Sequence, residues 1–303
     1  MAKTLDFIGV GGLSYDLVLQ VDRLPSSDDK IPGSLVGKLP GGFIANATCA
    51  AARLGLNVGY IGWVGEDADG DMLADEFVRY GIDIGGLKKV PGEATPFTVI
   101  LVKDDGERAI VIPSSALYHQ DLSEAQLAYA AQASIILTYP RDEAWCRLLA
   151  DAAHGNDGLL ALDVESSSPM RGDALLMAIG LADVVFVSEG SLPLLGDVPL
   201  EHLAERRWVI MTAGKRGSYG LAPGLHERIY QPALPVQAMD TTGAGDCFHA
   251  GVLASRHQGA SLTEALAFAS AAAAIKVQHR GARGGLPTRA EVETLYNASG
   301  KGV

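Results

Sequence analysis

Six short apolar runs punctuate this chain of 303 residues: LDFIGVG, VGYIGWVG, SIILTYP, LLALDV, DVVFVS and WVIMTAG. Each is bounded by Gly, Asp or Pro, and none alternates polar with apolar residues as a half-solvated strand would. Between the runs lie Ala- and Leu-rich stretches of helical length, such as IANATCAAARLG (44–55) and LTEALAFASAAAAIKVQ (262–278). Strands that are apolar on both faces must be covered on both faces. Alternation with helices therefore predicts an α/β fold: a doubly wound, mainly parallel sheet in three layers. Right-handed crossovers then place the loops that follow the strands along one edge, where such sheets bind ligands.

Two segments break this rhythm. Residues 13–39 carry alternating strand-like pieces around a polar turn, and 95–112 reads as a hairpin closed at Asp104-Asp105-Gly106. Neither has a helix to cover it. They predict a small β-sheet lid, about 13–39 and 95–115, inserted into one α/β core (1–12, 40–94, 116–303). The lid's second face would then cover a ligand or a partner subunit. With no linker, repeat or low-complexity tract, 1–303 is expected to form a single domain.

A formal charge of −12 argues against a nucleic-acid partner, which usually shows itself as a basic face. No stretch reaches membrane-spanning length, and the N-terminal apolar run is too short and Gly-rich for a signal peptide. Cys49, Cys146 and Cys247 stand singly, without metal-ligand spacing, as reduced thiols of a cytoplasmic protein do. The histidines form no metal-spaced pair.

The chemistry gathers at DTTGAGDCFHAG, residues 240–251. From Ala244 the apolar positions Phe248, Val252 and Leu253 recur at helical spacing, so Gly243-Ala244-Gly245 occupies a helix N-terminus. There up to four backbone N–H groups lack intrahelical partners, and small side chains let an anion approach them. An acid at Asp246 would be stabilised by the helix dipole whatever its role. Beside an anion site it also suits phosphoryl transfer: the amides and a metal take up charge while the carboxylate accepts the proton of an attacking hydroxyl. Other phosphate cradles fail on inspection. GSLVGKL (33–39) has the wrong spacing for a P-loop, and Gly9-x-Gly11 is followed by Ser14 and a flap where a dinucleotide site needs glycine and a helix.

DTTGAGD at 240–246 resembles the C-terminal signature of the ribokinase-like (PfkB) carbohydrate kinases, and GGFIANATCAAARLG at 41–55 resembles their N-terminal one. WVIMTAGKRGSYGL (208–221) is similar to the family's strand and Gly-rich turn beside ATP, and RGARGGLP (280–287) to its closing segment. The resemblance, which runs over nearly the whole chain, implies a ribokinase-like fold and an ATP- and Mg²⁺-dependent sugar kinase. It implies Asp246 as general base and the backbone of Gly243, Ala244 and Gly245 as anion hole. It places Asp16, Gly42 and Asn46 on sugar hydroxyls, and Thr212, Gly214 and Gly217 along the nucleotide. Asp240 and Thr242 match positions that hold a monovalent cation, K⁺, in several members. A homodimer through the lid is expected.

Departures from the pattern narrow the substrate. Where ribokinases proper carry Lys in GGKGAN this chain has Phe43, which cannot donate to a hydroxyl, so a ketose such as fructose is expected rather than ribose. Ser188-Glu189-Gly190-Ser191 stands where the family's N-x-x-E belongs, as in ketohexokinase-like members, and alters metal positioning. Arg141 matches an Arg of ketohexokinase- and sulfofructose-kinase-like members and is a candidate for substrate contact. Asp163, which ends LLALD, fits a turn cap as well as a ligand. A nucleoside kinase of the same fold and a sugar-binding regulator with weakened turnover are the alternatives.

Overall fold

Along the strand Val184–Ser188, successive side chains enter opposite cores. Val184 and Phe186 join one, Val185 and Val187 the other. Ile135 and Leu137 are divided from Ile136 in the same way, and Ile210 from Val209 and Met211. Buried on both faces, these strands need no polar side, which is why their sequences run continuously apolar.

The computed structural model describes residues 3–225 and 227–299. In chain order the strands are β1 (Leu5–Val10), β2 (Ser14–Gln20), β3 (Ser34–Gly41), β4 (Val58–Gly65), β5 (Asp83–Val90), β6 (Phe97–Val102) and β7 (Arg108–Val111). They continue as β8 (Ala133–Thr138), β9 (Leu159–Val164), β10 (Val184–Ser188), β11 (Trp208–Thr212), β12 (Ser218–Leu221) and β13 (Ile229–Gln231). Nine of them form one sheet in the order β13-β12-β11-β10-β9-β8-β1-β4-β5, parallel except at the β11-β12-β13 edge. The chain leaves β1 first toward β5 and later toward β13. The direction thus reverses beside β1, and the crevice at the strand ends there is the expected ligand site.

Helices α1 (Phe43–Arg53) and α2 (Ala68–Arg79) cover the first core, and α3 (Glu124–Ala130), α4 (Glu143–His154), α5 (Gly172–Gly180) and α6 (Leu200–Leu203) the second. Helices α7 (Ala244–His257), α8 (Leu262–Lys276) and α9 (Arg289–Ala298) complete the first layer. Ser261 and Glu264 form a capping box that starts α8, a feature worth about 1 kcal/mol. Ala271 and Ala272 are fully buried on α8, which packs extensively against α7.

The two irregular segments make a separate sheet, β3-β2-β6-β7. β2 is antiparallel to β3 and parallel to β6, and the β6–β7 hairpin turns at Gly106, whose N–H donates to Lys103 O at 3.0 Å. This is the lid that the ribokinase-like fold carries. Register puts Asp16 beside Thr98 on one face. Leu35, Val36, Ile110, Val111 and Ile112 are all largely exposed. β3 enters α1 through Gly42 at φ +91°, where a Cβ would lie 2.7 Å from Gly12 O. Only glycine fits this passage from lid to core.

Candidate active site

Helix α7 begins where the sequence predicts, with Gly243 as its N-cap at φ +75°. A Cβ on Gly243 would come within 2.3 Å of Ala282 O, so the turn is packed beneath the closing segment. Cys247 N bonds back to Gly243 O, and Ala244 N to Thr241 O. Among the described residues no backbone acceptor takes the N–H of Gly245 or Asp246. A side chain at Gly245 would meet nothing within 4 Å. Amides at a helix start with open space before them can receive an anion.

Asp246 lies in the first turn, 8% exposed. Burial pushes its carboxyl up to about 7; the negative charges of Asp163 and Glu165 add to this, while Asn46 and His249 oppose it. Asn46 Nδ2 donates to Asp246 Oδ2 at 2.8 Å across 200 residues of chain. The two signature segments are thus joined by one hydrogen bond. Asn46 does not cap α1, whose N-cap is Gly42 with no side-chain bond. Its other amide atom, Oδ1, accepts from Arg283 Nε at 3.0 Å.

Behind the carboxylate lies a buried pair. His249, one turn along α7, shares a 3.0 Å hydrogen bond with Asp163 at the end of β9 and stacks on Phe186 at 4.1 Å. Burial alone would lower the imidazole; the charge of Asp163 and its hydrogen bond outweigh that and hold it above its ordinary value. Asp163 is therefore a partner of His249 rather than a turn cap. Glu165 is raised by burial and by Asp163. Both acids line a cavity of about 70 Å³ together with Phe43 and Tyr139, whose rings meet edge to face at 5.7 Å. The position taken by Lys in ribokinases proper is here an aromatic wall of that cavity.

Asp16 sits on β2 where the lid roots, its carboxyl raised by burial against the opposing effects of a Thr98 hydrogen bond and the charges of Arg283 and Arg108. Arg108, at the start of β7, reaches from the lid to Thr242, whose Oγ1 accepts from its Nη1 at 3.0 Å. Thr242 N and Oγ1 both donate to Asp240 Oδ1, and Gly281 N donates to Oδ2. Burial works to raise the Asp240 carboxyl, but these bonds and the charge of Lys276 hold it below its ordinary value. Asp240 and Thr242 thus tie the α7 turn to the closing segment.

Thr212 ends β11, and Gly214 and Gly217 bracket the tight turn that leads into β12. Ser188 and Ser191 close a capping box on each other. Arg141 bonds Asp142 Oδ2 at 2.7 Å and Gln120 O at 2.5 Å, and its guanidinium lies 4.1 Å from the centre of the Trp145 ring. Its remaining donor reaches Asp121 Oδ1 at 3.4 Å. Among the described residues no group of three His, Cys, Asp or Glu side chains could hold a metal ion by itself. No described helix is long and apolar enough to cross a membrane.

Sequence reasoning missed Arg108, Arg283, Glu76 and the Asp163–His249 pair. Strand parity could have found Arg108, since register aligns Arg108, Val102 and Gln20 on the Asp16 face. Nothing in the sequence marks Arg283 as buried.

An acid poised near neutrality beside helix-start amides that have no backbone acceptor is what transfer of a phosphoryl group to an alcohol requires. The class is a phosphotransferase with an alcohol acceptor. Residues 6–289 match the pfkB family carbohydrate kinases, and the chain belongs to that family. It is 31% identical over 316 residues to a ribokinase of Haemophilus influenzae, covering 98% of this chain and all of the relative. It is 31% identical over 292 residues to fructokinase-1 of Oryza sativa subsp. japonica, covering 86% and 90%. The structure of Arabidopsis thaliana ribokinase complexed with ribose and ATP superposes with a TM-score of 0.85 at 26% identity, covering 98% of this chain and 99% of that one.

Proposed function

We propose that this protein is an ATP-dependent sugar kinase that transfers the γ-phosphoryl group to a primary hydroxyl of a small ketose such as fructose. The observation that carries the reading is the Asn46–Asp246 bond at the start of α7, which joins a buried base to an anion-receiving turn. Asp246 takes the proton of the attacking hydroxyl. The amides of Gly243 and Gly245 hold the charge that develops on the transferring group, while that of Ala244, expected to join them, donates to Thr241 O. Asp16, Gly42 and Asn46 hold the sugar between sheet edge and lid, with Arg141 at the rim. Thr212, Gly214 and Gly217 border the nucleotide; Mg²⁺ bound with its phosphates would neutralise charge in the transition state. No step is assigned to K⁺. Arg108 ties the lid to the α7 turn, so lid closure excludes water, which would otherwise accept the phosphoryl group.

Phe43 supports a ketose over ribose, because an aromatic face cannot donate to a ribose hydroxyl. The exposed apolar residues of the lid support a homodimer through it, with cytoplasm as the compartment where three buried thiols stay reduced. An ATP-consumption screen over ketoses, aldohexoses, ribose, sugar acids and nucleosides tests the reading. The highest kcat/KM is expected with a ketose. A nucleoside as best acceptor would shift the assignment to a nucleoside kinase, and no turnover with any acceptor would leave a sugar-binding regulator.

A further inference from the structure

Arg283 lies in the closing segment, far along the chain from both signature motifs, yet is only 6% exposed. Each part of its guanidinium has a separate acceptor. Nε donates to Asn46 Oδ1 at 3.0 Å, Nη2 donates to Gly41 O at 2.8 Å, and Nη1 pairs with Glu76 on α2. The Phe77 ring lies beneath it, 5.4 Å from centre to guanidinium carbon.

Guanidinium can only donate, so Asn46 must turn its oxygen toward Arg283 and its nitrogen toward Asp246. Without that constraint the amide could rotate and present its oxygen to an ionised carboxylate, which repels it. Gly41 is the last residue of lid strand β3, so the same group fixes the lid's root against the first turn of α1. We propose that Arg283 is a positioning residue for phosphoryl transfer: acting through Asn46, it aims an N–H at the Asp246 carboxylate and locks that pair to the root of the lid. The inference rests on Asp246 being the base.

The test must separate positioning from mere stability, because Glu76, with its side chain 12% exposed, loses its partner when Arg283 is removed. Arg283→Met is compared with the double variant Arg283→Met/Glu76→Met, which replaces the ion pair with an apolar pair, and with Arg283→Lys. Lys keeps a charge for Glu76 but not the planar fork. The single Met variant should unfold at lower temperature, and the double variant should recover most of that loss. With ATP and the best acceptor from the screen, kcat should nevertheless stay down roughly tenfold to a hundredfold in all three variants. KM for ATP should stay within about twofold, and the acid limb of the kcat/KM profile should move to higher pH as Asp246 loses its oriented donor.

If the double variant regains both stability and wild-type kcat, Arg283 is a structural ion-pair member only and the inference falls. A lowered kcat with an unmoved acid limb also overturns it. If Arg283→Lys folds as wild type and turns over at the wild-type rate, the fork geometry is irrelevant and the inference again falls. Wild-type turnover in Asp246→Asn would remove the base itself; that failure is distinct, and it is read in the same assay.

Discussion

Replacing Asp246 with Asn should stabilise the protein while nearly abolishing its activity, and the two effects should depend on pH in different ways. The carboxyl titrates at about 7 in the folded chain against 3.8 when unperturbed, chiefly because it is buried. An unfolded chain therefore gives up this proton first. Between pH 4 and 7 the folded state binds a proton that the unfolded state has lost, so stability falls as pH rises through this window and levels off above it. Each unit is worth about 1.4 kcal/mol, which puts the cost of ionising Asp246 in place at about 4 kcal/mol above pH 7. An amide never incurs this cost and can still accept from Asn46 Nδ2. Thermal melts should accordingly show Asp246→Asn well above wild type at pH 8 and close to it at pH 4.5. Coupled ADP-release assays at pH 8 should show kcat down by roughly 10² to 10⁴, the usual contribution of a general base. Two results would refute the reasoning. Turnover within tenfold of wild type denies the base. An equal melting difference at pH 8 and pH 4.5 denies that a buried, raised carboxyl is the source of the strain.

Asn46→Ala should lower kcat/KM and also cost stability, about 1–3 kcal/mol, because Arg283 Nε loses its acceptor in a buried site; loss of stability with unchanged kinetics would make Asn46 structural only. Gly243→Ala should destabilise by at least 1–2 kcal/mol from its left-handed φ alone, and raise KM for ATP as the turn moves off Ala282; wild-type melting and KM would contradict the packing described. Sedimentation should show a dimer for the wild type and a monomer for Leu35→Lys/Val111→Lys, and a monomeric wild type would refute association through the lid.

Legibility from sequence followed the range of the interactions involved. Continuous apolar strands and intervening Ala-rich helices are local patterns, so the layered sheet, the α7 start at Gly243 and the hairpin turn at Gly106 are all legible in the sequence. Two edge strands, β12 and β13, are not. They are short: the turn at Gly214–Gly217 folds β12 back antiparallel onto β11, and β13 pairs antiparallel with β12 in turn. At the site, the sequence identified the acid and the small residues before it, since a helix start requires nothing beyond its own first turn. It left Asn46 between cap and ligand, and Asp163 between cap and ligand.

Tertiary structure alone supplied their partners, because each partner is distant in the chain. Asn46 meets Asp246 and Arg283; Asp163 meets His249; Arg108 meets Thr242. A pattern of residue types records which groups can ionise or donate. Which group faces which, and how far burial moves a carboxyl toward neutrality, follows only once the sheet has brought the strand ends to one edge and the lid has packed against them. The sequence by itself determined a doubly wound kinase fold with an acid behind a glycine turn. The folded chain decided that this acid is buried, held by an asparagine from the other signature, and backed by an arginine of the closing segment whose burial no motif signals.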